Sequence, residues 1–137
     1  MCGIAGIVTA DGSTPEVGHL RAMTDAISHR GPDGEGFVSK PGFGFGHRRL
    51  AVIDLESGAQ PMADDTERWW VVFNGEIYNF LELRATLEAN GQRFRTKSDT
   101  EVLLELVAEQ GTAAFSQLRG MFAVALWNAT EIGRAHV

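Results

Sequence analysis

Apolar residues recur along this chain in two rhythms, and their boundaries predict its elements. Residues 3–9 read as a first strand, with small side chains that let neighbours pack close. Thr14 followed by Pro15 predicts a helix start, and Val17, Leu20, Met23 and Ile27 continue at helical spacing as far as Ser28. Residues 28–36, rich in glycine and proline, predict a loop. Phe37-Val38 and Gly42-Phe43-Gly44-Phe45-Gly46 predict paired strands, the second with a glycine side laid against another backbone. Residues 50–55 predict a further strand ahead of a turn region over 57–61. Residues 69–73 are apolar throughout, the pattern of a buried strand, and run into Asn74-Gly75, the strongest short hairpin signal. Asn79 with Glu82 predicts a capping box, with Phe80, Leu83 and Leu87 on one face and Gly91 as the stop. Phe94 falls in a predicted short strand. Ser98 with Glu101 predicts a second capping box before Val102, Leu103, Leu106, Val107 and a closing Gly111. A short helix over 113–118 and a last apolar strand over 121–127 complete the pattern.

Strands and helices come in blocks without strict alternation, which argues for an α+β fold with antiparallel sheets. The last strand needs a partner, and the residues after it show no convincing period or turn logic. The chain therefore reads as one C-terminally incomplete domain over 1–128, with an atypical tail over 129–137.

Composition narrows the function classes. With 44% hydrophobic and 22% charged residues in 137, the chain can bury one core. A net charge of -6, with scattered Lys and Arg, argues against nucleic acid as a partner. No apolar run approaches the roughly 20 residues that span a bilayer, and no secretory signal is visible. One cysteine excludes an internal disulfide framework and fits a reducing, cytoplasmic setting.

That cysteine is Cys2, directly behind Met1. Removal of Met1 would give it a free α-amine. An α-amine titrates near pH ~8 and a thiol near ~8.5, so one residue would supply both a nucleophile and its base. Position alone leaves chance as the simpler reading. His19, His29, His47 and His136 have no metal-ligand spacing, so no metal site is expected, and His29 and His47 suit structural hydrogen bonding near a pocket. The glycine clusters at 31–36 and 42–46 match neither a P-loop nor a dinucleotide fingerprint.

Six stretches in order change the balance: Met1-Cys2-Gly3-Ile4-Ala5-Gly6; His29-Arg30-Gly31-Pro32-Asp33-Gly34; Gly46-His47-Arg48-Arg49-Leu50; Phe73-Asn74-Gly75-Glu76-Ile77-Tyr78-Asn79; Ser98-Asp99-Thr100-Glu101; and Arg119-Gly120-Met121-Phe122-Ala123. Over about residues 1–128 the chain resembles the class II glutamine amidotransferase (glutaminase) domain of glutamine-hydrolysing asparagine synthetases.

The resemblance implies an N-terminal-nucleophile (Ntn) hydrolase fold, a four-layer αββα arrangement of two stacked antiparallel sheets. It implies that Cys2 attacks the side-chain amide of glutamine, forming a γ-glutamyl thioester that water hydrolyses. Asn74 and Gly75 would be the oxyanion hole; unaided, Asn-Gly is a hairpin turn. Arg49 would grip the substrate α-carboxylate, with an ordinary solvated arginine as its alternative, more fitting for Arg48. Asp99 would accept the α-ammonium, against the plainer role of a first-turn acid on a helix dipole. Glu76 falls in the same pocket.

No cofactor is implied for glutamine hydrolysis, while ATP and Mg2+ are expected only on a synthetase domain outside these residues. Ammonia would pass in cis to that domain for conversion of aspartate to asparagine, and a homodimer is possible in the full-length protein. Another acceptor chemistry, or a non-catalytic amino-acid-binding fragment, are the alternatives.

Overall fold

The structure is a computed structural model that describes residues 1–50, 58–131 and 135–136. Strands β1 (Gly3–Val8), β2 (Gly34–Lys40) and β3 (Phe43–Arg49) form one antiparallel sheet in the order β1-β3-β2. Strands β4 (Met62–Ala63), β5 (Trp69–Ile77), β6 (Gly120–Asn128) and β7 (Ala135–His136) form a second, in sequence order. Helix α1 (Val17–Ala26) covers the first sheet, while α2 (Phe80–Ala89) and α3 (Asp99–Gln110) cover the second.

Strand alternation sorts the side chains into layers. On β5, Trp69, Val71, Phe73 and Ile77 enter the core shared with Leu87, Val102, Leu103, Leu106 and Val107 of the two helices. Trp70 and Val72 face the other way, onto Phe43, Phe45 and Ile4 of the first sheet. On β3, Gly44 and Gly46 lie under α1; a Cβ on Gly46 would strike the hydroxyl of buried Thr24. The architecture is thus the expected α+β pair of antiparallel sheets between helical layers.

Several local expectations are corrected. Helix α1 begins at Val17 behind Glu16, with no side-chain cap, because Pro15 is buried against Gly44 and its carbonyl accepts from Ser39 Oγ at 2.6 Å. Its buried residues are Leu20 and Thr24, while Val17 and Met23 are exposed. The loop expected over 28–36 is a 3-10 turn at Ser28–Arg30, and β2 already starts at Gly34. Leu50 ends outside β3, and the rest of the strand expected over 50–55 lies outside the described residues. Phe94 lies in irregular chain, and the short helix expected over 113–118 is a 3-10 segment over Gly111–Gln117.

Asn74-Gly75 makes no hairpin. Strand β5 runs straight through it, pairing Asn74 with Ala123 and Gly75 with Phe122. Gly75 has φ +150°, and a Cβ there would collide with the Met121 carbonyl, so the close approach of β6 requires glycine. The capping box at Asn79 is likewise absent: its side chain donates to Gln117 O at 2.9 Å and accepts from Arg119 N at 2.9 Å. The second box half-forms. Ser98 Oγ caps Glu101 N at 3.2 Å, while the Glu101 carboxylate turns to the Arg95 and Thr96 amides. Strand β6 finds its partners in β5 and β7, where Leu126 pairs with His136.

Candidate active site

One face of three strands, followed towards one end, changes from apolar to polar. On β3 the intersheet positions are Phe43, Phe45, His47 and Arg49 in succession. On β5 they are Trp70, Val72, Asn74 and Glu76, and on β1 Ile4 is followed by Cys2 at the chain's start. The polar ends converge on a cavity of about 400 Å³ lined by Cys2, Arg49, Asn74, Gly75, Glu76 and Asp99. All six residues singled out by the sequence therefore share one cavity. His47, Gln60, Thr100, Tyr78, Met121 and Met1 also line it.

Cys2 is half-buried, with Sγ 3.3 Å from Leu50 N and 3.4 Å from Leu50 O. Its own carbonyl accepts from Arg30 Nε at 3.0 Å, which fixes the first peptide against the 3-10 turn. Arg48 points to the opposite face, where it pairs with Asp25 and, at 2.8 Å, with Glu35. Adjacent arginines are thus divided by alternation: Arg49 towards the cavity, Arg48 towards helix α1.

The free edge of β5 is the site's second component. Among the described residues, strand β4 covers this edge only opposite Trp70 and Val71. Past it, odd-numbered residues of β5 still direct their N–H groups outward, as Trp69 does to Asp64 Oδ1 at 2.8 Å. Phe73 N–H donates to Gln60 Oε1 at 2.6 Å, and Ile77 N–H donates to Asp99 Oδ2 at 3.0 Å. The same alternation sets the Gly75 N–H between these two, on the cavity side. Tyr78 N, on the opposite edge, reaches Arg119 O at 2.7 Å, which confirms the phase.

Electrostatics follow from burial. Desolvation chiefly raises the pKa of Asp99, with a lesser push from the Glu76 charge; hydrogen bonds led by that from Ile77 N–H oppose it. A cationic group in the cavity would draw it back down. His47 is pushed down to about 4, first by burial and further by the Arg49 charge, against its hydrogen bond to the Phe73 backbone. It is therefore neutral at pH 7. Among the described residues, His47 Nε2 and Asn74 Oδ1 are buried without a hydrogen-bond partner. Leaving such a group without a partner costs about 1–3 kcal/mol, so both are local costs of the fold beside the cavity.

The structural role expected of His47 matches this placement, whereas His29 is exposed and does not line the cavity. Sequence reasoning missed Gln60 and Thr100. The available signal was Gln60 beside Pro61 in a turn region, which carries no chemistry until Phe73 is known to lie opposite. Among the described residues no group of three or more His, Cys, Asp or Glu could hold a metal ion, and no helix is long and apolar enough to cross a membrane.

A family profile described as a glutamine amidotransferase domain matches residues 1–134. The chain is 46% identical to asparagine synthetase [glutamine-hydrolyzing] 1 of Bacillus subtilis (strain 168), covering 96% of this chain and 21% of that protein. It is 34% identical to asparagine synthetase B [glutamine-hydrolyzing] of Escherichia coli (strain K12), covering 100% and 26%. The chain thus spans about a fifth to a quarter of the length of these curated relatives. Among solved structures, the glutamine phosphoribosylpyrophosphate amidotransferase from B. subtilis superposes with a TM-score of 0.67 at 23% identity, over 93% of this chain and 34% of that one. That likeness shows the fold.

Proposed function

The chain belongs to the glutamine amidotransferase domain family, and from that premise we propose that it hydrolyses glutamine to glutamate and ammonia through a thioester on Cys2. The observation that carries this reading is the convergence of Cys2, Asn74, Gly75, Arg49, Glu76 and Asp99 on one cavity.

The chemistry follows from their positions. With Met1 removed, the α-amine of Cys2 takes the thiol proton, and Sγ attacks the carboxamide carbon of glutamine. The oxyanion receives hydrogen bonds from the Asn74 side-chain amide and the Gly75 N–H; one such donor is worth about 10²–10³ in rate. Collapse expels ammonia, carrying the proton from the α-amine, and leaves the γ-glutamyl thioester. Water then attacks the thioester carbonyl, releasing glutamate and restoring the thiol. Arg49 holds the substrate α-carboxylate. Asp99, with Oδ2 already engaged by Ile77 N–H, offers its remaining lone pairs to the α-ammonium, supported by Glu76.

In the whole protein we propose that the ammonia passes to a synthetase portion, where ATP with Mg2+ activates aspartate for asparagine formation. The names of the relatives support that acceptor, and no residue of this chain is assigned to ATP or metal. A cytoplasmic setting, which keeps a lone thiol reduced, and homodimer assembly belong to the same proposal.

The test is the intact mass before and after 6-diazo-5-oxo-norleucine, a reactive glutamine mimic. Loss of Met1 with one adduct on Cys2, blocked by glutamine, is the expected result. A processed chain that takes no adduct and releases no ammonia would sink the reading.

A further inference from the structure

We propose that Gln60 is a positioning residue for glutamine hydrolysis, its side-chain amide acting as the missing ladder partner that holds the oxyanion edge of β5 and ties it to the helix carrying Asp99. The proposal rests on the glutaminase reading of the cavity.

The antiparallel register of β4 with β5 pairs Met62 with Val71, and extended by two residues it sets Gln60 opposite Phe73. Among the described residues no backbone ladder reaches that far, because β4 holds only Met62 and Ala63. The Gln60 side chain takes the place of the ladder: Oε1 accepts from Phe73 N–H at 2.6 Å. Its other end, Nε2, donates to Thr100 Oγ1 at 3.2 Å. Phe73 directly precedes Asn74-Gly75, and Thr100 directly follows Asp99. One buried amide thus bridges the residue before the oxyanion donors and the residue after the proposed ammonium acceptor.

The seat of this residue is built for it. A Cβ on Gly36 of β2 would collide with the Gln60 carbonyl oxygen, so only glycine lets the first sheet close over it. An edge strand without such anchors is free to twist. Gly75 lacks a side chain to resist that twist, and its N–H must lie about 2.7–3.1 Å from the developing charge. Asp99 is fixed to the same edge through Ile77 N–H, so the tie sets the spacing between reacting carbon and α-ammonium.

The experiment measures glutaminase kinetics in the intact protein with Met1 removed, for wild type, Gln60→Met and Gln60→Glu. Methionine fills a similar volume but cannot replace the amide, whereas glutamate keeps an oxygen for Phe73 N–H. The expected outcome for Gln60→Met is a fall in kcat of about 10–100-fold, as misplacement by a fraction of an ångström produces. Its KM should stay within about threefold, because Arg49, Glu76 and Asp99 still bind the substrate. Gln60→Glu should recover most of the lost kcat, which a purely structural role would not require. An active wild type whose Gln60→Met variant keeps its kcat overturns the positioning role alone. So does a loss in both variants that appears only in KM. A wild type that neither hydrolyses glutamine nor labels at Cys2 overturns the glutaminase reading and this proposal with it.

Discussion

At one end of the gap between the sheets, Phe43 stacks on Trp127 with ring centroids 4.9 Å apart and meets Phe45 edge-on at 5.2 Å. At the other end the same strands, on the same face, present His47, Arg49, Asn74 and Cys2 around a cavity. Both ends obey strand alternation equally. They differ in what fills them: aromatic rings close the first, while the second holds a cavity of about 400 Å³. Apolar packing at one end offsets the cost of the polar groups buried around the cavity at the other.

That division predicts opposite signatures for substitutions at the two ends. Cys2→Ala should reduce glutamine hydrolysis to background while shifting the unfolding midpoint by less than about 2 °C, because a half-buried thiol adds little packing. Calorimetry and ammonia release on one sample check both halves. Phe43→Ala should do the reverse in kind, costing about 3–5 kcal/mol of stability by urea titration, with activity lost only as the protein unfolds. Asn74→Ala should lower kcat by about 10²–10³ with a small change in KM, the loss expected of the proposed oxyanion donor. A large stability loss in Asn74→Ala would erase the contrast between the ends.

The two raised acids on α3 sharpen the comparison. Asp99 faces the cavity, where a substrate cation can neutralise the effect of its burial. Glu105, bound to Gln92 Nε2 at 2.7 Å, does not line the cavity. It is pushed up from 4.5 to about 7, mainly by burial, then by Asp65, Glu101 and Asp64. Between these values the folded protein holds a proton that the unfolded chain has released. Its contribution to stability therefore declines from about pH 4.5 to about pH 7 and stays lost above. Glu105→Gln should remove that slope, raising stability by about 1–3 kcal/mol at pH 8 and far less at pH 4.5. His47, held at about 4, gives an opposing slope between about pH 4 and 6.5, so the readout is the difference between wild type and variant melting across pH. The smallest effect belongs to Arg49→Lys, which keeps the charge but not the fork; KM should rise about tenfold with kcat little altered.

Much of the site was legible because its signals are carried in consecutive residues. The six ordered stretches name the family and the candidate chemistry, Gly111 stops α3, and Ser98 caps its start. Elements governed by distant partners were not legible. Asn74-Gly75 carries a local turn preference of modest size, and nine register pairs between β5 and β6 override it. Asn79 gives up its cap for Gln117 and Arg119, some 40 residues away. Gln60 has no distinctive neighbours in sequence, and its partners at 73 and 100 become visible only when β4 stops short.

The sequence by itself determined the family, the candidate nucleophile and most of the run of helices and strands, since short-range spacing and residue chemistry suffice for these. Only the tertiary structure decided which side chains cap the edge of β5 and which buried acids have a raised pKa. Those outcomes depend on desolvation and on hydrogen bonds between residues far apart in the chain, quantities that no local window contains.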